Sequence, residues 1–197
     1  MRGKLFVLIG PSGVGKGTII KNLKKRNSNW IFPISATTRE KRPHEKNGET
    51  YFFFSREEFL RREENGEFLE TAKVHQKNFY GLLKKTIFDA LKNGEIIFRE
   101  IDIQGFSSLR EKIPEQNFCS IFLLPPSLEI LKKRIISRAP LSENEISNRM
   151  KSAENEIEKS RECDFRVQTF DGEIEKAVRE IEKVVAENFW NWNGERD

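Results

Sequence analysis

Cysteine and histidine are scarce in this 197-residue chain, with two of each. Cys119 lies inside an apolar run and Cys163 stands far from it in sequence, so no spacing suggests a disulfide framework or a cysteine metal site, and a reducing compartment is expected. His44 and His75 sit in polar, loop-like stretches with no partner at ligand spacing, so they read as exposed or hydrogen-bonded histidines rather than metal ligands. No apolar stretch approaches the roughly 20 residues of a membrane-spanning helix, and no signal peptide precedes the first apolar run, so a cytoplasmic protein without a membrane partner is expected. An excess of one charge is missing too. The formal net charge is only +4, and the short basic runs at Lys24-Lys25-Arg26 and Lys132-Lys133-Arg134 read as solvated helix faces rather than a nucleic-acid surface. Internal repeats and low-complexity linkers are absent. With 37% hydrophobic and 34% charged residues interspersed, the chain can bury one core and keep a polar surface.

What is present begins at the apolar run Leu5 to Ile9, which reads as a buried strand. It leads directly into Gly10, Pro11, Ser12, Gly13, Val14, Gly15, Lys16, Gly17 and Thr18. Glycines at this spacing let the chain turn tightly and bring main-chain N–H groups against a polyphosphate, while Lys16 adds a mobile positive charge. Ile19, Ile20 and Leu23 follow at helical spacing, so the loop opens a helix whose N-terminus favours anions. These nine residues form a candidate ATP cradle. One position departs from the general phosphate-loop pattern. Gly17 stands where a hydroxyl residue usually follows the lysine, and Thr18 offers its hydroxyl one place later, towards a Mg²⁺ ion carried with ATP.

Apolar strand candidates then alternate with amphipathic helices. Strands are expected at 4–9, 95–101, 118–124 and 164–168, and helices at 15–26, 105–112, 127–138 and 172–189. Such alternation calls for a parallel sheet covered by helices on both faces. Two segments interrupt it. Residues 34–82 carry prolines, Asn47-Gly48 and the aromatic run Tyr51 to Phe54, then a helix capped by Ser55 with Glu58, then a strand at 67–74; this reads as a small β-rich insertion. Beyond the helix stop expected at Pro140, Ser142 with Glu145 caps a further helix, with Ile146, Met150, Ala153 and Ile157 on its buried side. Residues 126–159 therefore read as a helical lid. The fold class expected is α/β, a three-layer phosphate-loop fold whose core comprises 1–33, 83–125 and 160–197.

Within the insertion, Arg39 and Arg42 offer planar guanidinium groups suited to clamping a monophosphate, and Tyr51 can add a phenolic donor. Taken with Ser35 to Pro43, Gly48-x-x-Tyr51, Gly66 to Glu70, Tyr80-Gly81, Ile101 to Gly105 and Leu124 to Ser127, in that order, the chain resembles the guanylate kinase family from about residue 4 to the last helix. The resemblance implies ATP-dependent phosphorylation of GMP, and of dGMP, with Mg²⁺ accompanying ATP, in a monomer or homodimer. It implies that Arg39, Arg42, Tyr51 and Tyr80 hold the GMP phosphate, and that Ser35, Glu70 and Asp102 read guanine. Lys16, Arg134, Arg138 and Arg149 would act on the ATP phosphates or the transferring group, and Glu100 with Thr18 on the metal shell, in part through water.

The base chemistry agrees with those assignments. Guanine presents N1–H and its 2-amino group side by side, and one carboxylate such as Glu70 can accept both. Adenine has an unprotonated N1 there, and sites built to bond a group can reject an analogue lacking it by on the order of 10⁴-fold. Several positions depart from the family pattern. Leu82 stands where Ser or Thr commonly helps read guanine, and the stretch from Glu70 to Tyr80 is one residue longer than is common. Glu100 replaces a frequent Asp, Ala139 a frequent Gly, and Thr169 a frequent Asn. A non-catalytic scaffold module and a kinase for another phosphorylated acceptor are the rival classes. Retention of the phosphate loop weighs against the first, and Glu70 with Asp102 against the second.

Overall fold

The segment Leu5 to Ile9 has no exposed surface at all, which only a strand flanked by other strands and covered on both faces can achieve. The computed structural model describes residues 2–74, 78–137 and 142–194, with the side chains of Val74 and 190–194 outside that description. The first half of the chain folds as β1 (Lys4–Ile9), α1 (Lys16–Arg26), β2 (Ala36–Thr37), β3 (Phe52–Phe53), α2 (Arg56–Glu64), β4 (Phe68–Val74), β5 (Asn78–Leu83) and α3 (Lys84–Lys92). The second half adds β6 (Ile96–Glu100), α4 (Ile103–Lys112), β7 (Phe118–Leu124), α5 (Leu128–Ile136), α6 (Glu143–Lys159), β8 (Phe165–Gln168) and α7 (Ile174–Gly194).

The central sheet runs β6-β1-β7-β8 with every pair parallel. The period of two along β1 divides the core. Phe6 and Leu8 pack with residues of α1, α5 and α7, whereas Leu5, Val7 and Ile9 pack with residues of α3 and α4. Helix, sheet and helix thus form three layers, the α/β class read from the sequence. The strand order reverses at β1, beside β7, and in open α/β sheets such a reversal leaves a crevice at the carboxyl ends of the strands. Among the described residues no helix is long and apolar enough to cross a membrane.

A second sheet, ordered β3-β2-β5-β4, is built between residues 36 and 83. Alternation along the aromatic run sorts its rings. Phe52 and Phe54 join Phe59 and Phe68 in a small apolar cluster, while Tyr51 and Phe53 face the Arg39 guanidinium. Leu69 and Leu82 instead enter the core beneath the central sheet and tie the two sheets together.

Both expected caps are present. Ser55 Oγ accepts from Glu58 N, and Ser142 with Glu145 makes a reciprocal capping box. Ala153 is buried and Ile146, Met150 and Ile157 are half-buried on one stripe of α6. The structure adds β5 and α3 where no regular element was expected between 75 and 94. Helix α3 has Leu83 as its N-cap, with no side-chain cap bond, and carries no acid in its first turn, so the usual start signal is missing from its sequence. His75, Arg138, Ala139 and Pro140 lie outside the described residues, and with them the stop expected there.

Candidate active site

Between β1 and α1 the loop turns through left-handed backbone at Gly13 (φ 88°) and Gly15 (φ 109°), conformations that cost little only for glycine. Gly15 is also the N-cap of α1, with no side chain bonded to the first turn and no acid within it. Its orphan N–H groups and the positive end of the helix dipole are therefore available to an anion. Val14 anchors the loop by burying its side chain in the core. Lys16 Nζ donates to the carbonyls of Gly10 and Pro11, curling over the loop that precedes it. Gly17 and Thr18 are exposed at the start of the helix.

Lys16 opens onto a cavity of about 550 Å³ that runs past Glu100 and Asp102 to Ser35, Thr50 and Tyr51. A second cavity, of about 520 Å³, is lined by Glu70, Tyr80, Gln104 and Gly105. Both share one wall made of Ser35, Arg99, Glu100, Ile101 and Asp102. The wall forms where β6 ends beside β1, the register pairing Leu8 with Glu100. Two cavities, one touching the phosphate loop and one the small sheet, thus meet at the carboxyl edge of the central sheet.

On the small sheet Arg39 is already engaged. Its Nη2 donates to Glu45 Oε1 at 2.6 Å and its Nη1 to the Glu40 carbonyl at 2.6 Å. Its guanidinium stacks on the rings of Tyr51 and Phe53, and Tyr51 lies edge-on to Tyr80 at 6.0 Å. Glu45 is only 6% exposed and also accepts from Arg42 N at 2.8 Å. The Arg39 bond, with the Arg42 N–H second, holds its carboxyl at about 2. Arg42 itself is exposed. Neither arginine lines the two cavities; Arg39 adjoins them through Tyr51 and Tyr80.

In the second cavity Glu70 Oε1 accepts from Arg99 Nη2 at 3.0 Å, and the same Nη2 donates to Ser35 Oγ at 3.2 Å. Asp102 caps α4, accepting from Gly105 N at 2.7 Å. A Cβ on Gly105 would lie 2.7 Å from Glu70 Oε2 and 3.3 Å from Asp102 Oδ1. Only glycine lets the two carboxylates approach this helix turn. Asp102 is thus both a helix cap and part of the shared wall. Leu82 is fully buried and presents no polar group.

The arginines expected around ATP are placed differently from one another. Arg134 is tied to Asp171 Oδ1 at 2.6 Å and donates to the Val14 carbonyl at 3.3 Å, so it lies against the phosphate loop. Arg149 is exposed on α6, and Arg138 falls outside the described residues. Thr169 Oγ1 accepts from Arg134 at 3.3 Å. Among the described residues no group of three or more acidic, histidine or cysteine side chains could hold a metal by itself. Burial pushes the Cys119 thiol up to about 12 and that of Cys163 to about 11, which keeps both from acting as thiolates at neutral pH.

Comparison with known proteins decides what this cleft belongs to. The family model described as guanylate kinase matches residues 2–188. The chain belongs to the guanylate kinase family. It is similar to the guanylate kinase of Clostridioides difficile, with 42% identity over 94% of this chain and 88% of that one. That of Thermotoga maritima is 40% identical over 94% and 87%. Among solved structures, guanylate kinase from Anaplasma phagocytophilum superposes with a TM-score of 0.68 at 33% identity, covering 93% of this chain and 84% of that one. A gluconokinase from Sinorhizobium meliloti, 17% identical with a TM-score of 0.55 over 100% and 98%, shares the fold alone.

Three residues at the site of this guanylate kinase family member are not singled out by the motifs of the sequence. Glu45 stands six residues from the arginine it holds, in an exposed-looking polar stretch. Arg99 is a lone cation within the apolar run of β6, and that intrusion is the one local clue to it. Asp171, which anchors Arg134, lies in a loop 37 residues away and is visible only in three dimensions.

Proposed function

We infer that the two cavities are the halves of a single phosphotransfer site. The chain phosphorylates GMP at the expense of ATP, yielding GDP and ADP. The observation that carries the site assignment is the shared wall of Ser35, Arg99, Glu100, Ile101 and Asp102, which joins a phosphate-loop cavity to a carboxylate-lined one. On this reading Gly10 to Thr18 cradle the ATP phosphates. Glu70, Ser35 and Asp102 receive guanine, and Arg39, Arg42, Tyr51 and Tyr80 receive the GMP phosphate. dGMP is a further acceptor, since none of the proposed base contacts involves the sugar.

Catalysis is positioning plus charge stabilisation, because phosphoryl transfer leaves little covalent work to the protein. An oxygen of the GMP phosphate attacks the γ-phosphorus of ATP in line with the departing β-phosphate oxygen, and ADP leaves. Lys16 exchanges its bonds to the Gly10 and Pro11 carbonyls for phosphate oxygens, and the α1 N-terminus offsets the charge. The exposed Thr18 hydroxyl and Glu100 carboxylate are hard oxygen donors of the type Mg²⁺ takes, directly or through water. When bound with ATP, that ion neutralises phosphate charge. Arg134, fixed by Asp171 against the loop, supplies positive charge on the ATP side, and Arg138 and Arg149 extend it from the lid formed by residues 126–159. Residues 34–82 act as the acceptor domain and the remainder as the core. Closure of the lid and the acceptor domain excludes water, which would otherwise compete as acceptor. The cytoplasm, where both nucleotides are abundant, is the compartment that suits this chemistry.

A coupled assay of ADP formation tests the reading. The expected result is rapid turnover with GMP, slower turnover with dGMP, and none above background with AMP or without acceptor. Equal rates with GMP and AMP would overturn the base assignment.

A further inference from the structure

Guanine offers three hydrogen-bonding groups along one edge: the O6 acceptor, the N1–H donor and the 2-amino donor. Glu70 has two acceptor oxygens, enough for the two donors and nothing for O6. A base carbonyl buried without a donor costs affinity, so something in this cavity must answer O6. Leu82 cannot, being apolar and fully buried. Arg99 can.

Three observations point to it. Residues 97 and 99 share one side of β6, Ile101 just beyond the strand continues that period, and Ile97 and Ile101 are buried in the cluster that includes Leu69 of β4. That periodicity turns Arg99 towards Glu70, whose Oε1 it reaches at 3.0 Å. The pair is partly buried, with the side chain of Arg99 13% and that of Glu70 22% exposed. The guanidinium is also short of partners. It makes three hydrogen bonds, to Glu70, Ser35 Oγ and, at 3.5 Å, the Pro33 carbonyl, from a group with five N–H donors. Its Nε is buried with no hydrogen-bond partner among the described residues.

We propose that Arg99 donates to guanine O6, so that Arg99 and Glu70 form one donor–acceptor–acceptor strip complementary to the guanine edge. The inference rests on the GMP reading above and deepens it. An arginine set against a guanine carbonyl is the commonest specific contact to that base elsewhere, for the same geometric reason. The ion pair has a second consequence. When the base covers the cavity Glu70 loses water, and Arg99 keeps its charge compensated at that moment. Adenine meets the strip wrongly at both ends. Its 6-amino group faces the Arg99 donors and its N1 lone pair faces Glu70, so discrimination comes from repulsion as well as from attraction.

The test pairs a change in the protein with a change in the substrate. Steady-state kinetics are measured for wild type, Arg99→Met and Arg99→Lys with GMP and with 6-thio-GMP, whose sulfur is a poorer acceptor than O6. Wild type should prefer GMP. Arg99→Met should lower kcat/KM for GMP about 10- to 100-fold, mainly through KM, as loss of a charged hydrogen bond does. It should lower the value for 6-thio-GMP much less, so that the preference falls towards one, and Arg99→Lys should restore part of it. Equal losses for both nucleotides would mean that Arg99 only positions Glu70, and would overturn the inference. A wild type that uses both nucleotides equally would overturn it without any mutation. A wild type inactive with GMP would instead defeat the acceptor assignment itself, and this inference with it.

Discussion

On the phosphate-loop side, the groups offered to a ligand are main-chain N–H donors set by glycine torsions, with one lysine laid over them. On the small-sheet side they are charged side chains, each already paired within the protein: Arg39 with Glu45, and Glu70 with Arg99. The difference teaches how each half meets its ligand. On the proposed function, the donor cradle is pre-formed and generic for polyphosphate. The acceptor half, held ready by internal ion pairs, would become specific as a nucleotide enters them. Damage to the first should abolish chemistry whatever the acceptor, and damage to the second should appear as loss of affinity or of discrimination for GMP.

The largest expected effect therefore lies at Lys16. Lys16→Ala should lower kcat by roughly 10²–10³-fold, the usual scale for removing a group that stabilises transition-state charge. Its melting temperature should stay within a few degrees of wild type, since the side chain bonds to the Gly10 and Pro11 carbonyls of its own loop and is not part of the buried core. Activity near normal would erase the contrast. Next comes Glu70→Gln, which puts an amide donor against guanine donors. A fall in kcat/KM for GMP of roughly 10²-fold is expected, with KM for ATP unchanged. If KM for ATP rises equally, the halves are not separable.

Gly105→Ala should be milder. Its Cβ would sit 2.7 Å from Glu70 Oε2 and push the carboxylate off position, raising KM for GMP about tenfold and leaving the fold intact. An unchanged KM would show that Glu70 has freedom to move aside. The smallest effect concerns Glu45. Its carboxyl is lowered from an ordinary 4.5 to about 2, so the stability it contributes is complete above about pH 4.5 and disappears as the pH falls to about 2. In urea titrations Glu45→Gln should be less stable than wild type at pH 7, with the gap narrowing through that window. A gap of constant size down to pH 2 would mean that Glu45 acts by shape rather than charge.

The two halves also differed in how far they could be read beforehand. Local order makes the donor half legible. The strand expected at 4–9 is β1 to the residue, and the strand expected at 118–124 is β7. The capping signals at Ser55 and Ser142 work over three residues, within reach of pattern reading. In the small sheet, β2 is only two residues long and pairs Ala36 with Gly81 across 45 positions, so no local period announces it. Helix α3 lacks a cap signal, although Ile87, Ala90 and Leu91 do fall on one buried face. The same limit hides Arg99 and Glu45, whose meaning depends on partners assembled by the fold. Glu70 and Asp102 could be named in advance only through the family resemblance.

The most direct test of one cleft with two charge cradles is calorimetric titration with a bisubstrate ligand, adenosine and guanosine joined 5′ to 5′ by a polyphosphate chain. The expected result is one ligand per chain, with affinity weakened about tenfold or more by Lys16→Ala and, independently, by Glu70→Gln. A ligand that binds as tightly to either variant as to wild type would contradict the joined site.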